Sequence, residues 1–155
     1  MSNRLRDEIK QTRPFASTEQ EAFLSLGRTW AVLEHALAEA LKPHGITPTQ
    51  YNVLRILRGA GERGLCRGEV VERMIARVPD ATRLLDRMET AGLIARERSS
   101  EDRRFVTTHV TEEGLRLLVA LDDVVLAAHR QQFTALDEAE LRRLIELLDL
   151  VRAPA

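Results

Sequence analysis

The chain has 155 residues, of which 44% are hydrophobic and 30% are charged, with a formal net charge of −1. These values predict one folded globular domain over residues 1–155 and exclude a disordered chain. The only cysteine, Cys66, excludes an internal disulfide and a cysteine-based zinc site. No apolar run in the sequence suits a membrane span, and residues 1–14 lack the apolar core of a signal peptide, so we expect a cytoplasmic protein without a membrane partner.

Charge is unevenly distributed along the chain. Residues 63–104 carry 10 basic and 8 acidic residues, a balance of +2, whereas residues 105–155 carry 5 basic and 9 acidic residues, a balance of −4. A basic middle segment is compatible with nucleic-acid binding, because charge matters where the ligand docks. The same distribution also fits ordinary solvated surfaces, so charge alone leaves the DNA hypothesis open.

The first predicted helix follows an irregular lead-in over residues 1–17. It begins at Thr18, which forms a capping box with Glu21, and it ends at Pro43 and Gly45. Its apolar residues recur at steps of three and four and form one stripe, which comprises Phe23, Leu26, Trp30, Leu33, Leu37 and Leu41.

Three shorter helices are predicted in the middle of the chain. The first has Thr47 as its N-cap, with Gln50 at the reciprocal position of the capping box, and ends near residue 59. The second spans Cys66–Ile75. The third starts near Val78, spans residues 78–91 and ends at Gly92. The last two are separated only by a short turn.

The third short helix is followed by a predicted β-hairpin. Its strands are Leu93–Arg98 and Phe105–Val110, which flank a polar turn. Two further amphipathic helices follow, capped by Thr111 and by Asp137 with Glu140. The sequence therefore predicts a mainly α fold with one small β-hairpin, arranged as a winged helix-turn-helix.

In a winged helix-turn-helix, the second helix of the motif enters the major groove of DNA. Residues 78–91 are predicted to be this recognition helix, with Pro79, Asp80, Thr82, Arg83, Asp86 and Arg87 facing outward. Arg83 suits a bidentate contact to guanine, Asp80 can accept from cytosine, and Thr82 suits a phosphate or a thymine methyl group. The alternative is that these residues form ordinary surface ion pairs.

The hairpin tip carries Asp102, Arg103 and Arg104, with Arg96 and Arg98 on the adjoining strand. An arginine at a wing tip can enter the minor groove, and a neighbouring carboxylate can hold its guanidinium in position. The alternative is an exposed turn without a ligand.

Three segments of the sequence resemble the MarR family of winged-helix regulators, within a similarity that runs from about Leu26 to Leu148. Residues 47–54 are similar to the start of the family's second helix, and residues 82–89 with Gly92-Leu93-Ile94 are similar to its recognition helix and exit. The run Glu101-Asp102-Arg103-Arg104, followed by residues 110–114, is similar to the family's wing signature.

The resemblance implies a homodimer that binds double-stranded DNA at a pseudo-palindromic operator. Residues 18–45 and 112–153 would be the dimerisation helices, and residues 47–111 the DNA-binding lobe. Asp102 and Arg104 would correspond to the Asp-x-Arg unit that places an arginine on DNA. The family further implies repression or activation of nearby genes, and we expect a repressor that responds to a small phenolic or lipophilic effector.

Neither an enzyme nor a cofactor or metal site is expected. The sequence has no phosphate-binding glycine loop, no GxSxG turn and no spaced metal ligands. The remaining alternative is a winged-helix module that binds another protein rather than DNA, because a fold does not determine its partner.

Two further hypotheses concern a ligand pocket and a reactive thiol. Trp30, His35 and Tyr51, together with Phe23, could line a ligand pocket, although an aromatic stripe on a helix is more often core. Cys66 lies at the predicted N-cap of a helix, a position that can activate a thiol, although a half-buried unreactive cysteine is the more ordinary interpretation.

Overall fold

The computed structural model describes residues 4–98 and 106–153. Its backbone separates into two compact units, residues 1–36 and residues 37–155, which are described in turn. The helices are α1 (Arg4–Glu8), α2 (Thr18–Leu41), α3 (Pro48–Ala60), α4 (Arg67–Arg73), α5 (Ala81–Thr90), α6 (Glu112–Gln132) and α7 (Glu138–Arg152). The strands are β1 (Leu65–Cys66), β2 (Ile94–Arg98) and β3 (Val106–Val110).

The first unit corrects the predicted lead-in. Residues Arg4–Glu8 form a helix, and Glu8 accepts hydrogen bonds from Arg4 at 3.0 Å and from Arg28 of α2 at 3.3 Å. These two guanidinium groups lower the pKa of Glu8. Five residues are too few to show a helical period, and the bond to Arg28 is not local, so the sequence pattern does not predict α1.

The cap of α2 also differs from the prediction by one residue. Ser17 Oγ accepts from the backbone N–H of Gln20 at 3.2 Å, so Ser17 and not Thr18 caps the helix. The exposed apolar side chains of this first unit include Phe23, at 76% exposure, and Trp30, at 49%.

The second unit contains the predicted helix-turn-helix and wing. The capping boxes of α3, at Thr47 and Gln50, and of α7, at Asp137 and Glu140, are both present, and Thr111 caps α6. The helices and the sheet enclose one apolar core that comprises Leu41, Ile46, Val53, Leu54, Ile56, Leu57, Leu65, Val70, Leu84, Leu85, Met88, Ile94, Leu118, Leu121 and Val125.

The sheet has three antiparallel strands in the order β1-β3-β2. Thr108 of β3 pairs with Leu65 on one side and with Arg96 on the other. The predicted mainly α winged fold is confirmed, and the short strand β1 extends the predicted hairpin. A two-residue strand has no alternation that a sequence pattern could reveal, so only its pairing with β3 identifies it.

The base of the wing is joined closely to α6. Thr111 N donates to Leu93 O at 3.1 Å, and Thr111 Oγ1 donates to Gly92 O at 2.6 Å. A side chain at Gly114 would place its Cβ 2.3 Å from Leu93 O, so only glycine permits this approach. Among the helices that the structure describes, none is both long and apolar enough for a membrane span.

Candidate nucleic-acid interface

The turn between α4 and α5 is held by a buried amide on α3. Asn52 is only 7% exposed, and its Oδ1 accepts from the backbone N–H of Ile75 at 3.1 Å. Its Nδ2 is also buried and has no partner among the described residues. Because α3 lies in the core, this bond fixes where the chain turns before it enters α5.

The start of α5 differs from the prediction. Asp80 is the N-cap, and its Oδ1 accepts from the backbone N–H of Arg83 at 2.9 Å. The helix therefore begins at Ala81, and Pro79 lies before the cap rather than in the first turn. A side-chain acceptor at the N-cap satisfies an amide that proline cannot satisfy, which explains why Asp80 and not Pro79 sets the boundary.

The inward and outward faces of α5 agree with the prediction. Leu84, Leu85 and Met88 are buried in the core, whereas five polar residues of the helix are exposed, namely Thr82, Arg83, Asp86, Arg87 and Thr90. The guanidinium groups of Arg83 and Arg87 make no hydrogen bond or ion pair with the described residues. This face therefore presents two guanidinium groups that have no partner among the described residues.

Thr82 and Asp86 of α5 are paired with arginines from neighbouring elements. Thr82 Oγ1 accepts from Arg67 Nη1 at 2.8 Å, and Asp86 Oδ1 accepts from Arg96 Nη2 at 2.7 Å. Arg67 is the first residue of α4, fifteen positions before Thr82, and the sequence pattern gives no sign that the two side chains meet.

Arg96 joins the wing to the recognition helix. Besides its bond to Asp86, its Nε donates to Glu89 Oε2 at 2.9 Å and its backbone N–H donates to Glu89 Oε1 at 3.1 Å. The bond from Arg96 lowers the pKa of Glu89, and the bonds to Glu89 and Asp86 raise the pKa of Arg96. Arg96, which lies close to the arginines of the wing tip in the sequence, is therefore occupied within the protein.

The wing tip itself, with Asp102, Arg103 and Arg104, lies outside the described residues. The strands that lead to it end at Arg98 and begin again at Val106. The predicted minor-groove contact of these residues stays a prediction, as do the predicted DNA contacts of Pro79, Asp80, Thr82, Arg83 and Arg87.

The candidate ligand residues lie on two helices. Trp30 and His35 are exposed on α2, and Tyr51 is half-buried on α3 against the core. Cys66 is the half-buried N-cap of α4, as predicted, and its backbone N–H donates to Glu69 Oε2 at 2.9 Å, which lowers the pKa of Glu69. The ligand pocket and the reactivity of Cys66 stay predictions.

Comparison with known proteins places this geometry among transcription regulators. The family model described as "MarR family" matches residues 44–104. A MarR transcription factor from Planctomyces limnophilus is 36% identical, with 88% of this chain and 99% of that chain covered, at a TM-score of 0.68.

Two further relatives are informative. A variant of MarR from E. coli, solved with operator DNA, is 25% identical at a TM-score of 0.76, with 88% of this chain and 100% of that chain covered. The transcriptional repressor IacR from Pseudomonas putida is 28% identical over 86% of this chain and 78% of its own length. The chain that forms this winged fold and this polar face of α5 is thus similar to transcription regulators over most of its length.

Proposed function

This chain belongs to the MarR family of DNA-binding transcription regulators, and we propose that it acts as a homodimeric repressor that binds a pseudo-palindromic operator with α5 in the major groove. The alternative of a winged-helix module for protein binding is not favoured, because the chain's relatives are regulators of transcription.

The exposed face of α5 carries this proposal. Arg83 and Arg87 are four positions apart, about one helical turn, so their guanidinium groups lie on one side of the helix. Neither has a carboxylate partner among the described residues, whereas Arg96, directly behind α5, is paired with two carboxylates. Unpaired arginines on a helix of this motif suit bidentate contacts to guanine and charge-assisted contacts to phosphate.

Asp80 and Asp86 restrict which residues of α5 read bases. Asp80 uses one carboxylate oxygen to cap the helix, and Asp86 uses one to hold Arg96. We therefore assign the principal base contact to Arg83, near the N-terminal end of α5 that approaches the base edges in this motif. Pro79 and Asp80, which precede the helix, are assigned to the edge of the same surface.

The apolar faces of the terminal helices support the homodimer. On α7 the exposed side chains of Leu147, Leu150 and Val151 lie at steps of three and four, so they share one face. Two protomers related by a two-fold axis would present their recognition helices to half-sites about 10 base pairs apart.

We further propose that a small phenolic or lipophilic effector regulates the protein. The protein would act in the cytoplasm, where the operator is found, and would have no catalytic role. Trp30, His35 and Tyr51 are the proposed ligand residues, because aromatic and imidazole side chains suit such a molecule.

Selection of bound sequences from a random duplex pool, followed by footprinting and light scattering, tests the core of the proposal. We expect a pseudo-palindromic site protected on two half-sites and a mass of about twice the 17.5 kDa of one chain. Protection of a single half-site by one chain, or no saturable binding to any duplex, would contradict it.

A further inference from the structure

Arg67 lies beside the N-terminal end of α5. Its guanidinium is bonded to Thr82 in the first turn of α5, where the unsatisfied backbone amides give the helix end a partial positive charge. A cation at this end is repelled by the helix dipole. The helix dipole therefore does not favour a cation at the place where Arg67 lies.

No carboxylate among the described residues pairs with Arg67. Asp80 caps α5, Asp86 holds Arg96, and Glu69 is bonded to Arg63 and to the backbone of Cys66. The only hydrogen bond of the Arg67 side chain within the described residues is the one to the neutral hydroxyl of Thr82. Arg67 thus has no carboxylate partner among the described residues and has further N–H groups that can donate elsewhere.

The hydroxyl of Thr82 gives this charge a defined position. A flexible surface arginine loses rotamer entropy when it binds a ligand, and a bond that already orients its guanidinium reduces that loss. Both residues are exposed, and Arg67 begins the first helix of the helix-turn-helix, the helix that crosses the DNA backbone in this motif.

We propose that Arg67 and Thr82 form one phosphate-binding unit, in which Thr82 orients the Arg67 guanidinium and Arg67 contacts a backbone phosphate beside the major groove. This inference rests on the proposed function. It assigns Thr82 to the support of a backbone contact rather than to a thymine methyl group, and it adds a DNA contact that lies outside the recognition helix.

Salt-dependent binding to a mixed-sequence duplex of about 30 base pairs tests the unit, because a phosphate contact does not depend on base sequence. Fluorescence anisotropy titrations would be recorded for the wild type, Arg67→Gln, Thr82→Val and the double variant over a range of KCl concentrations. For Arg67→Gln we expect the slope of log affinity against log salt to fall by about 0.9, and the affinity to fall roughly fivefold at about 150 mM salt.

Thr82→Val retains the size of the side chain but removes the hydroxyl. We expect it to weaken binding by itself and to have little further effect in the Arg67→Gln background, since Thr82 acts through Arg67. Thermal melts of all variants should match the wild type or, for Arg67→Gln, lie slightly higher, because the repulsion with the end of α5 is removed.

Arg142→Gln on α7 is the matched control, because it removes the same charge from an exposed arginine that is paired with Glu138. It should leave the salt slope unchanged. An Arg67→Gln protein with wild-type affinity and slope would overturn the phosphate-binding unit while leaving the proposed function intact. Additive losses for the two substitutions would overturn the orienting role of Thr82, and a wild type that binds no duplex would overturn both proposals.

Discussion

The helix-turn-helix lobe and the C-terminal helix leave different kinds of side chain exposed. In the lobe, α3 buries Asn52, Val53, Leu54, Ile56 and Leu57, and the exposed face of α5 is polar and charged. In α7 no residue is fully buried, and Ile145, Leu147, Leu150 and Val151 are exposed. The lobe completes its core within one chain and leaves arginines for a charged partner, whereas α7 leaves an apolar face for a second protein surface.

This difference separates folding from association, and the strongest effect is expected in the core of the lobe. Leu54 is fully buried, so Leu54→Ala should lower the free energy of unfolding by roughly 2–5 kcal/mol. Denaturant titrations at two protein concentrations would measure it. The loss should be the same at both, and a loss confined to dilute protein would place Leu54 in an association surface instead.

A charge on the apolar face of α7 should instead have an effect that depends on protein concentration. Leu150 is 68% exposed in the single chain, and Leu150→Glu would bury a carboxylate between protomers. We expect the dimer to weaken by roughly 100-fold, about 3 kcal/mol, because the carboxylate has no partner there. Light scattering during dilution would detect monomers.

The matched control for this change is Arg152→Glu, at an exposed position of the same helix that is already charged. It should leave the mass of the dimer nearly unchanged. An unaltered dimer in the Leu150→Glu protein would show that the apolar face of α7 is not the contact between protomers.

Substitution of Arg83 tests the charged surface of the lobe without disturbing its core. Arg83→Ala should weaken operator binding by roughly 1–3 kcal/mol and should change binding to random DNA much less, because a base contact is lost. The mass of the dimer and the thermal midpoint should not change. Equal losses on both duplexes would make Arg83 a phosphate contact, and binding measurements on the two sequences decide between these outcomes.

The smallest expected effect concerns the wing tip. Arg104→Ala should lower the slope of log affinity against log salt by at most about one unit, since one cation near the minor groove is removed. Asp102→Ala gives the sharper result. If Asp102 holds Arg104 in place, its loss should weaken binding, whereas net charge alone would predict tighter binding; anisotropy titrations with operator DNA measure the difference.

Much of the fold could be predicted from the sequence because its signals are local. The capping boxes at Thr47 with Gln50 and at Asp137 with Glu140 join residues three positions apart, and the structure contains both. The buried and exposed faces of α5 follow from a helical period within ten residues. By contrast, Pro79 and Asp80 are both plausible signals for the start of α5. The sequence favoured a start that places Pro79 in the first turn, whereas the structure has Asp80 as the N-cap.

The DNA-binding surface was less predictable, because its side-chain pairs join residues that are far apart in the sequence. Arg96 looks like a member of a basic wing in the sequence, yet it is occupied by Asp86 and Glu89 of α5. Arg67 carries no motif, yet it bonds to Thr82 fifteen residues later. Charge in a sequence shows how many arginines are present and not which of them are already paired.

By itself the sequence determined the order of helices and wing, the inward face of α5 and the resemblance to a family, because periodicity and capping depend on neighbours within about one or two helical turns. Only the tertiary structure decided that β1 pairs with β3 and that Asn52 anchors the turn before α5. It also decided that Arg96 is paired, whereas Arg83 and Arg87 have no partner among the described residues. Those outcomes depend on which distant side chains come within hydrogen-bonding distance, and packing of the core sets those distances.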